Sequence, residues 1–193
     1  VFLGLLVIYK TKLLKEIINN GWHGFFYAIT FTITNIFFVI SIENTNVANT
    51  LIMIALAPML SAIISFFFLK EVPDKKTWIA IIITTLSVLY IFYDALDAGD
   101  LLGNFLGLIC ATGLAVGAVI IRSAKKINLV PSAMIGKLLV TLIALFFINQ
   151  INLEDNDITI IPLMCIMCVA IPFVLMTIAP RYITAAEVNL FFL

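Results

Sequence analysis

Polar side chains are uncommon within the long apolar stretches, and seven of those found there are candidates for chemistry. Their hydroxyl, amide and carboxyl groups could bind a small polar molecule, because a polar group shielded from water costs free energy until it finds a partner. Glu187 is the only acidic residue inside such a stretch, and it could couple protons or bind an amine. The predicted binding residues are Tyr27, Thr34, Asn35, Asn49, Asn104, Glu187 and Asn189.

Structural roles compete with binding at several of these positions. The Thr34 hydroxyl can donate to the carbonyl four residues earlier and then needs no ligand, whereas the Asn35 amide is harder to satisfy in this way. Thr184 and Glu187 have the spacing of a capping box. Asn49 stands in a similar pattern, so capping is the favoured interpretation at Glu187 and Asn49, with ligand or proton binding as the alternative.

Lys137 is a cation inside an apolar stretch, close to the basic end of that stretch. A lysine in this position can extend its flexible chain to the polar boundary, which is the favoured interpretation, and an ion pair with Glu187 is the alternative. The acidic residues and the single histidine form no pattern typical of acid/base or metal chemistry. We therefore predict no catalytic residue, no metal and no cofactor.

The composition places these residues in a membrane protein. Of 193 residues, 63% are hydrophobic and 11% are charged, whereas a soluble domain has about 25% charged residues. This chain lacks the polar surface that would cover a globule in water, so a lipid bilayer is the predicted surrounding. Eleven Lys and Arg balance eleven Asp and Glu, and without a basic cluster nucleic acid is excluded as a partner.

Apolar stretches separated by polar turns predict six complete membrane spans and two partial ones. Helices are favoured over a β-barrel because the stretches are continuously apolar rather than alternating. The partial stretches stand at the two ends, so the chain is expected to be the middle of a longer protein. The predicted spans are 1–9, 22–42, 47–69, 77–93, 101–121, 130–149, 158–180 and 183–193.

Charged residues alternate between successive turns. The first, third, fifth and seventh turns contain Lys or Arg, whereas the second, fourth and sixth contain acidic residues and neither Lys nor Arg. The positive-inside rule places the basic turns in the cytoplasm, for a multi-pass protein of the inner (plasma) membrane. The predicted cytoplasmic turns contain Lys10–Lys15, Lys70–Lys76, Arg122–Lys126 and Arg181.

An inverted repeat is indicated when the chain is compared with itself at an offset of 138 residues. This offset lays 22–42 on 160–180 and pairs Asn49 with Glu187. It also lays the basic turn KTKLLKE on 148–154, which overlaps the acidic turn NQINLED at 149–155, so the matching turns face opposite sides of the membrane. Inverted repeats are a common way to build a central site that opens to either side.

The segment NVANTLIMIALAPMLSAIISFFFLKEVPDKKTWIAIIITTLSVLYIF contains a helix with a central Pro, a Lys-Glu turn and a Trp that opens the next helix. It resembles the fourth and fifth helices of the EamA-type permeases of the drug/metabolite transporter (DMT) superfamily, in which such a helix leads into a Gly/Lys-Glu turn. GDLLGNFLGLICATGLAVGAVIIRSAKK is similar to the sixth helix, and YITAAEVNLFFL is similar to the start of the ninth. Glu71 matches the Glu of the turn, where we interpret it as a latch between cytoplasmic loops.

The resemblance implies an all-α polytopic membrane helix bundle. Ten helices would form two inverted five-helix repeats with both termini in the cytoplasm, and this chain would run from helix two into helix nine. Residues 1–93 would hold the end of the first repeat, helices two to five, and residues 101–193 the truncated start of the second, helices six to nine.

The resemblance also implies a secondary transporter of small metabolites, with a small-molecule substrate and no enzymatic activity. Amino acids or related compounds are the first candidates, and export is the usual direction in the family. The alternatives are a membrane-embedded enzyme acting on a lipid-like substrate and a non-transporting scaffold. A homodimer also stays open, because a glycine stripe permits close helix contacts within or between subunits. The stripe consists of Gly103, Gly107, Gly113 and Gly117.

Overall fold

The computed structural model describes residues 12–91, 101–147 and 157–191, and the regular structure in them is helical throughout. This confirms the predicted all-α helix bundle. The elements are α1 (Lys12–Asn44), α2 (Val47–Ile54), α3 (Ala57–Leu69), α4 (Lys75–Ile91), α5 (Leu101–Ser123), α6 (Val130–Phe147), α7 (Asp157–Met164), a π-helical turn (Cys165–Ala170), α8 (Ile171–Ile178), a 3-10 turn (Ala179–Arg181) and α9 (Ala185–Leu190).

Five helical segments of the described residues are long and apolar enough to cross a membrane, and they correspond to five of the six complete predicted spans. The remaining complete span, 77–93, corresponds to α4, whose 17 residues end at the end of the described range 12–91. The predicted partial span 1–9 lies outside the described residues, and 183–193 contains α9. The five segments are Lys15–Asn44, Val47–Leu69, Leu101–Ser123, Val130–Phe147 and Ile160–Arg181.

The first helix begins earlier than the sequence predicts. The residues from Lys12 onward, expected in a turn, are helical, and a kink at Gly21 (φ 48°, ψ −133°) divides α1. Leu, Lys and Glu favour a helix here, and Ile17 packs against Val130 and Met134 at the start of α6. Lysines therefore mark the polar end of this span without ending its helix.

Gly21→Ala should lower the free energy of unfolding by about 1 kcal/mol, because a residue with a Cβ atom adopts this positive φ only with strain. A Cβ atom at Gly21 would meet no neighbouring atom within 4 Å, so the cost comes from the backbone alone. The apparent melting temperature in detergent measures the effect. Asn19→Ala, at an exposed neighbouring position, is the control. Equal melting temperatures for the two variants would show that the chain does not need the kink.

The small-residue face of α5 forms the centre of the bundle, where α5 contacts α1, α2, α3 and α9. Small residues allow helices to approach closely, which provides much of the packing energy inside a membrane. Gly103 packs against Asn44 and Thr45, and Gly113 packs against Thr34, so the glycine stripe contacts α1 of the same chain.

Two of the spans are interrupted near their middle. The span Val47–Leu69 is divided into α2 and α3 at Ala55 and Leu56. Pro58 follows this break, and it has no N–H to donate to the carbonyl of Ile54. The span Ile160–Arg181 contains the π-helical turn, followed at once by Pro172. Both interruptions border the cavity described next.

Candidate functional site

A cavity of about 350 Å³ lies among α1, α5, α6 and α8. Ile54 at the end of α2 and Val169 in the π-helical turn contribute to its wall, so both interrupted spans reach it. A smaller cavity of about 70 Å³ adjoins it. We call the two together the central cavity. The shared wall consists of Phe31, Thr34, Asn35, Leu114, Phe173 and Met176.

Four of the seven predicted binding residues line the central cavity, namely Tyr27, Thr34, Asn35 and Asn189. The Tyr27 hydroxyl lies 3.4 Å from the Thr177 hydroxyl oxygen, and either group can donate. Asn189 is buried, and its Nδ2 donates to the Ser61 hydroxyl of α3.

Thr34 and Asn35 both form hydrogen bonds to the backbone of their own helix. The Thr34 hydroxyl donates to the Thr30 carbonyl at 2.7 Å, and Asn35 Nδ2 donates to the Phe31 carbonyl at 2.8 Å. The expectation that the Asn35 amide is hard to satisfy locally was therefore wrong for its nitrogen, because the turn geometry places a carbonyl within reach. Asn35 Oδ1 accepts no hydrogen bond from the described residues and remains available to a ligand.

Asn49 and Asn104 lie outside the central cavity, where they connect the end of α1 to α2 and α5. Asn49 Nδ2 donates to the Thr45 hydroxyl oxygen at 3.1 Å, and the Thr45 hydroxyl donates to Asn104 Oδ1 at 3.3 Å. These contacts join three helix ends. Both asparagines are among the predicted binding residues, with capping as the favoured interpretation at Asn49, and the contacts described here join helix ends.

Glu187 forms the capping box that the sequence indicated. Its backbone N–H donates to the Thr184 hydroxyl oxygen at 3.3 Å, and its Oε2 accepts from the Thr184 N–H at 2.9 Å. The Thr77 hydroxyl of α4 donates to Oε1 at 3.3 Å. At the paired position, Asn49 donates its N–H to Asn46 Oδ1 at 2.7 Å. Glu187 is not part of the cavity wall, and both of its carboxylate oxygens have protein partners.

Lys137 lines the central cavity, although it is not among the seven residues predicted to bind a ligand. Its Nζ lies 5.3 Å from the ring centroids of both Phe31 and Phe173, in the wall of the central cavity. The ion pair with Glu187, which was the alternative interpretation, is not formed. The Lys137 side chain, which the sequence interpretation expected to extend to the polar boundary, contacts the two rings. Aromatic residues at matching depth on other helices could have indicated this, but one sequence does not place them together.

A second polar cluster joins three turns at the opposite end of α5 from Gly103. Arg122 Nε donates to Glu71 Oε2 at 2.9 Å, and Lys125 Nζ donates to Oε1 at 3.2 Å. Arg181 Nε donates to the Lys125 carbonyl at 2.9 Å. We call Glu71, Arg122, Lys125 and Arg181 the latch. The hydrogen bond from Arg122 is the main cause of the lowered pKa of the Glu71 carboxyl, partial burial opposes this shift, and Lys125 adds to it.

The described residues contain no group of three or more His, Cys, Asp and Glu that could hold a metal ion. The model of the EamA-like transporter family matches residues 1–93. Neither a curated protein nor a solved structure matches the chain. This match confirms the resemblance over residues 1–93, whereas the segments similar to the sixth and ninth helices lie outside the matched range. The matched family is one of membrane transporters.

Proposed function

Given that the chain carries an EamA-like transporter segment over residues 1–93, we propose that it is a secondary transporter of the DMT type. It moves small metabolites across the inner membrane by alternating access. The main support for this proposal is the central cavity, which is bordered by two interrupted spans. Interrupted helices near the bilayer midplane are typical of transporter sites, because they leave backbone groups available to a substrate.

The cavity draws its walls from both proposed repeats. Residues 1–93 contribute α1 and the end of α2, whereas 101–193 contribute α5, α6 and α8. We propose that these segments are the two inverted halves, helices two to five and six to nine of the family. A site between two such halves opens to one side or the other when the halves rock against each other.

We propose that the basic turns lie in the cytoplasm, as the positive-inside rule predicts. Three of these turns meet in the latch, which supports their location on one side of the membrane. We propose export as the direction of transport, with amino acids or related compounds as the first substrates to test.

Tyr27, Thr34, Asn35 and Asn189 are the proposed substrate contacts, because each lines the central cavity. Asn35 is the strongest of them, since its free Oδ1 can accept a hydrogen bond from a substrate without breaking one in the protein.

Counterflow in proteoliposomes that contain the full-length protein tests the proposal. The vesicles are preloaded with amino acids, small organic acids, amines and nucleosides, and the labelled species that exchanges is identified. A saturable exchange that falls in Asn35→Ala and not in the exposed control Asn19→Ala is the expected result. Folded protein that exchanges none of these compounds would contradict the transporter proposal and favour the enzyme or scaffold alternatives.

Glu187→Gln should leave both folding and the pH dependence of transport unchanged, because glutamine serves equally well at this position of a capping box. Thr184→Ala, by contrast, removes the cap and should cost about 1 kcal/mol of stability. Initial rates of counterflow over a pH series and apparent melting temperatures measure the two effects. A flat pH profile in Glu187→Gln would instead assign proton coupling to this carboxyl group.

A further inference from the structure

Three elements hold the Lys137 ammonium at the central cavity. Lys137 comes from α6, whereas the rings on either side of its Nζ, each 5.3 Å away, belong to Phe31 of α1 and Phe173 of α8. The two rings meet edge to face with their centroids 5.1 Å apart. This packing fixes the ammonium in the cavity wall, and the side chain is half-buried.

The positive charge has no acidic partner in the described part of the chain. Both ion pairs found there belong to Glu71 at the latch. The carboxylate of Glu187 is occupied by Thr184 and Thr77. The described walls of both cavities contain neither Asp nor Glu. Aromatic faces attract a cation but do not neutralise it, so the cavity carries one uncompensated positive charge.

From this arrangement we infer that the central cavity binds a small organic acid as its monoanion, with the carboxylate on Lys137. This inference rests on the proposed transport function and names the class of its substrate. The apolar body of the acid packs against Phe31, Phe173 and Met176. A hydroxyl group of the acid can donate to the free Oδ1 of Asn35.

The same wall disfavours a zwitterion. A free amino acid brings an ammonium group as well as a carboxylate, and that second charge meets no acid among the described wall residues and is repelled by Lys137. The cavity of about 350 Å³ lies at the lower end of the range of about 300–1,000 Å³ for small-molecule sites. The preferred ligand is therefore a small acid without an amino group.

Equilibrium dialysis of the purified full-length protein tests the inference with three probes of one size. The probes are 2-hydroxy-4-methylpentanoate, its neutral amide, and leucine. We expect the hydroxy acid to bind at least tenfold more tightly than the other two. Lys137→Gln should weaken its binding at least tenfold, Lys137→Arg should restore most of it, and the exposed control Lys76→Gln should match the wild type.

The comparison of acid and amide on the wild-type protein holds even where a Lys137 variant fails to fold. Equal binding of acid and amide, binding of none of the probes, or unchanged binding of the acid by a folded Lys137→Gln would overturn the inference. Counterflow with the same probes separates it from the transport proposal. Exchange of leucine but not of the acid would support the transport proposal and contradict the proposed substrate class. Binding of the acid with no exchange of any probe would support the anion site and contradict the transport proposal.

Discussion

Gly103→Ala is expected to lower the free energy of unfolding by about 2 to 3 kcal/mol, because its methyl group has no room. A Cβ atom at this position would lie 2.6 Å from Thr45 Cβ and 2.8 and 2.9 Å from the backbone C and O of Asn44. A backbone neighbour cannot rotate away as a side chain can, so α5 must move away from α1. That movement would also stretch the hydrogen bond of 2.8 Å from the Ser41 hydroxyl to the Gly103 carbonyl.

Gly117→Ala is the matched control on the same helix face. The nearest atom to a Cβ there is Tyr27 Cε2 at 3.5 Å, an ordinary van der Waals contact. Because alanine is the better helix former, the change should be neutral or stabilising, by less than about 1 kcal/mol. Apparent melting temperatures and unfolding by SDS in mixed micelles compare the two variants. Similar effects at both positions would mean that the helix contact is looser than these distances state.

The spans and the packing of α5 could be predicted from the sequence because they depend on properties that accumulate along one helix. About twenty apolar residues indicate a span wherever they stand, and glycines at intervals of four share one face. The capping box at Glu187 was predictable for the same reason, since its partners lie three residues apart.

The composition of the cavity depends on contacts between helices, which one sequence does not specify. Lys137 meets Phe31 and Phe173, which are distant in the sequence on either side, and its charge alone favours an end-of-helix position. Asn35 and Asn104 have equivalent amides within apolar stretches, yet only Asn35 lines the cavity. The position of each side chain in the bundle, rather than its residue type, decides which asparagine lines the cavity.

Glu71→Gln should destabilise the protein, because Glu71 is the acceptor at the centre of the latch. Arg122, whose side chain is only 13% exposed, would lose its carboxylate partner. We expect the free energy of unfolding to fall by about 2 kcal/mol at pH 7, because a hydrogen bond between charged groups is lost and a nearly buried cation remains. The ion pair with Lys125 contributes little to this change, because the Lys125 side chain is half-exposed and solvent screens its charge. Glu43→Gln is the control, because Glu43 is exposed and forms no ion pair with the described residues.

Acid should remove the difference between the wild type and Glu71→Gln. The pKa of the Glu71 carboxyl is lowered in the folded protein, chiefly by the Arg122 hydrogen bond. A lowered pKa gives stability that is complete above the ordinary glutamate value of about 4.3 and is lost as the pH falls through the lower folded-state value. The melting temperatures of the two proteins should therefore differ at about pH 7 and pH 5, and the difference should shrink as the pH falls below about 4.3.

The latch also connects the two proposed halves, because Glu71 belongs to residues 1–93 and its partners belong to 101–193. A contact that stabilises one closed end of a transporter must be broken when that end opens, so its loss shifts the balance between the two access states. Glu71→Gln should thus change the rate of counterflow as well as stability. Equal counterflow rates in the wild type and Glu71→Gln, at equal amounts of folded protein, would limit the latch to a purely structural role.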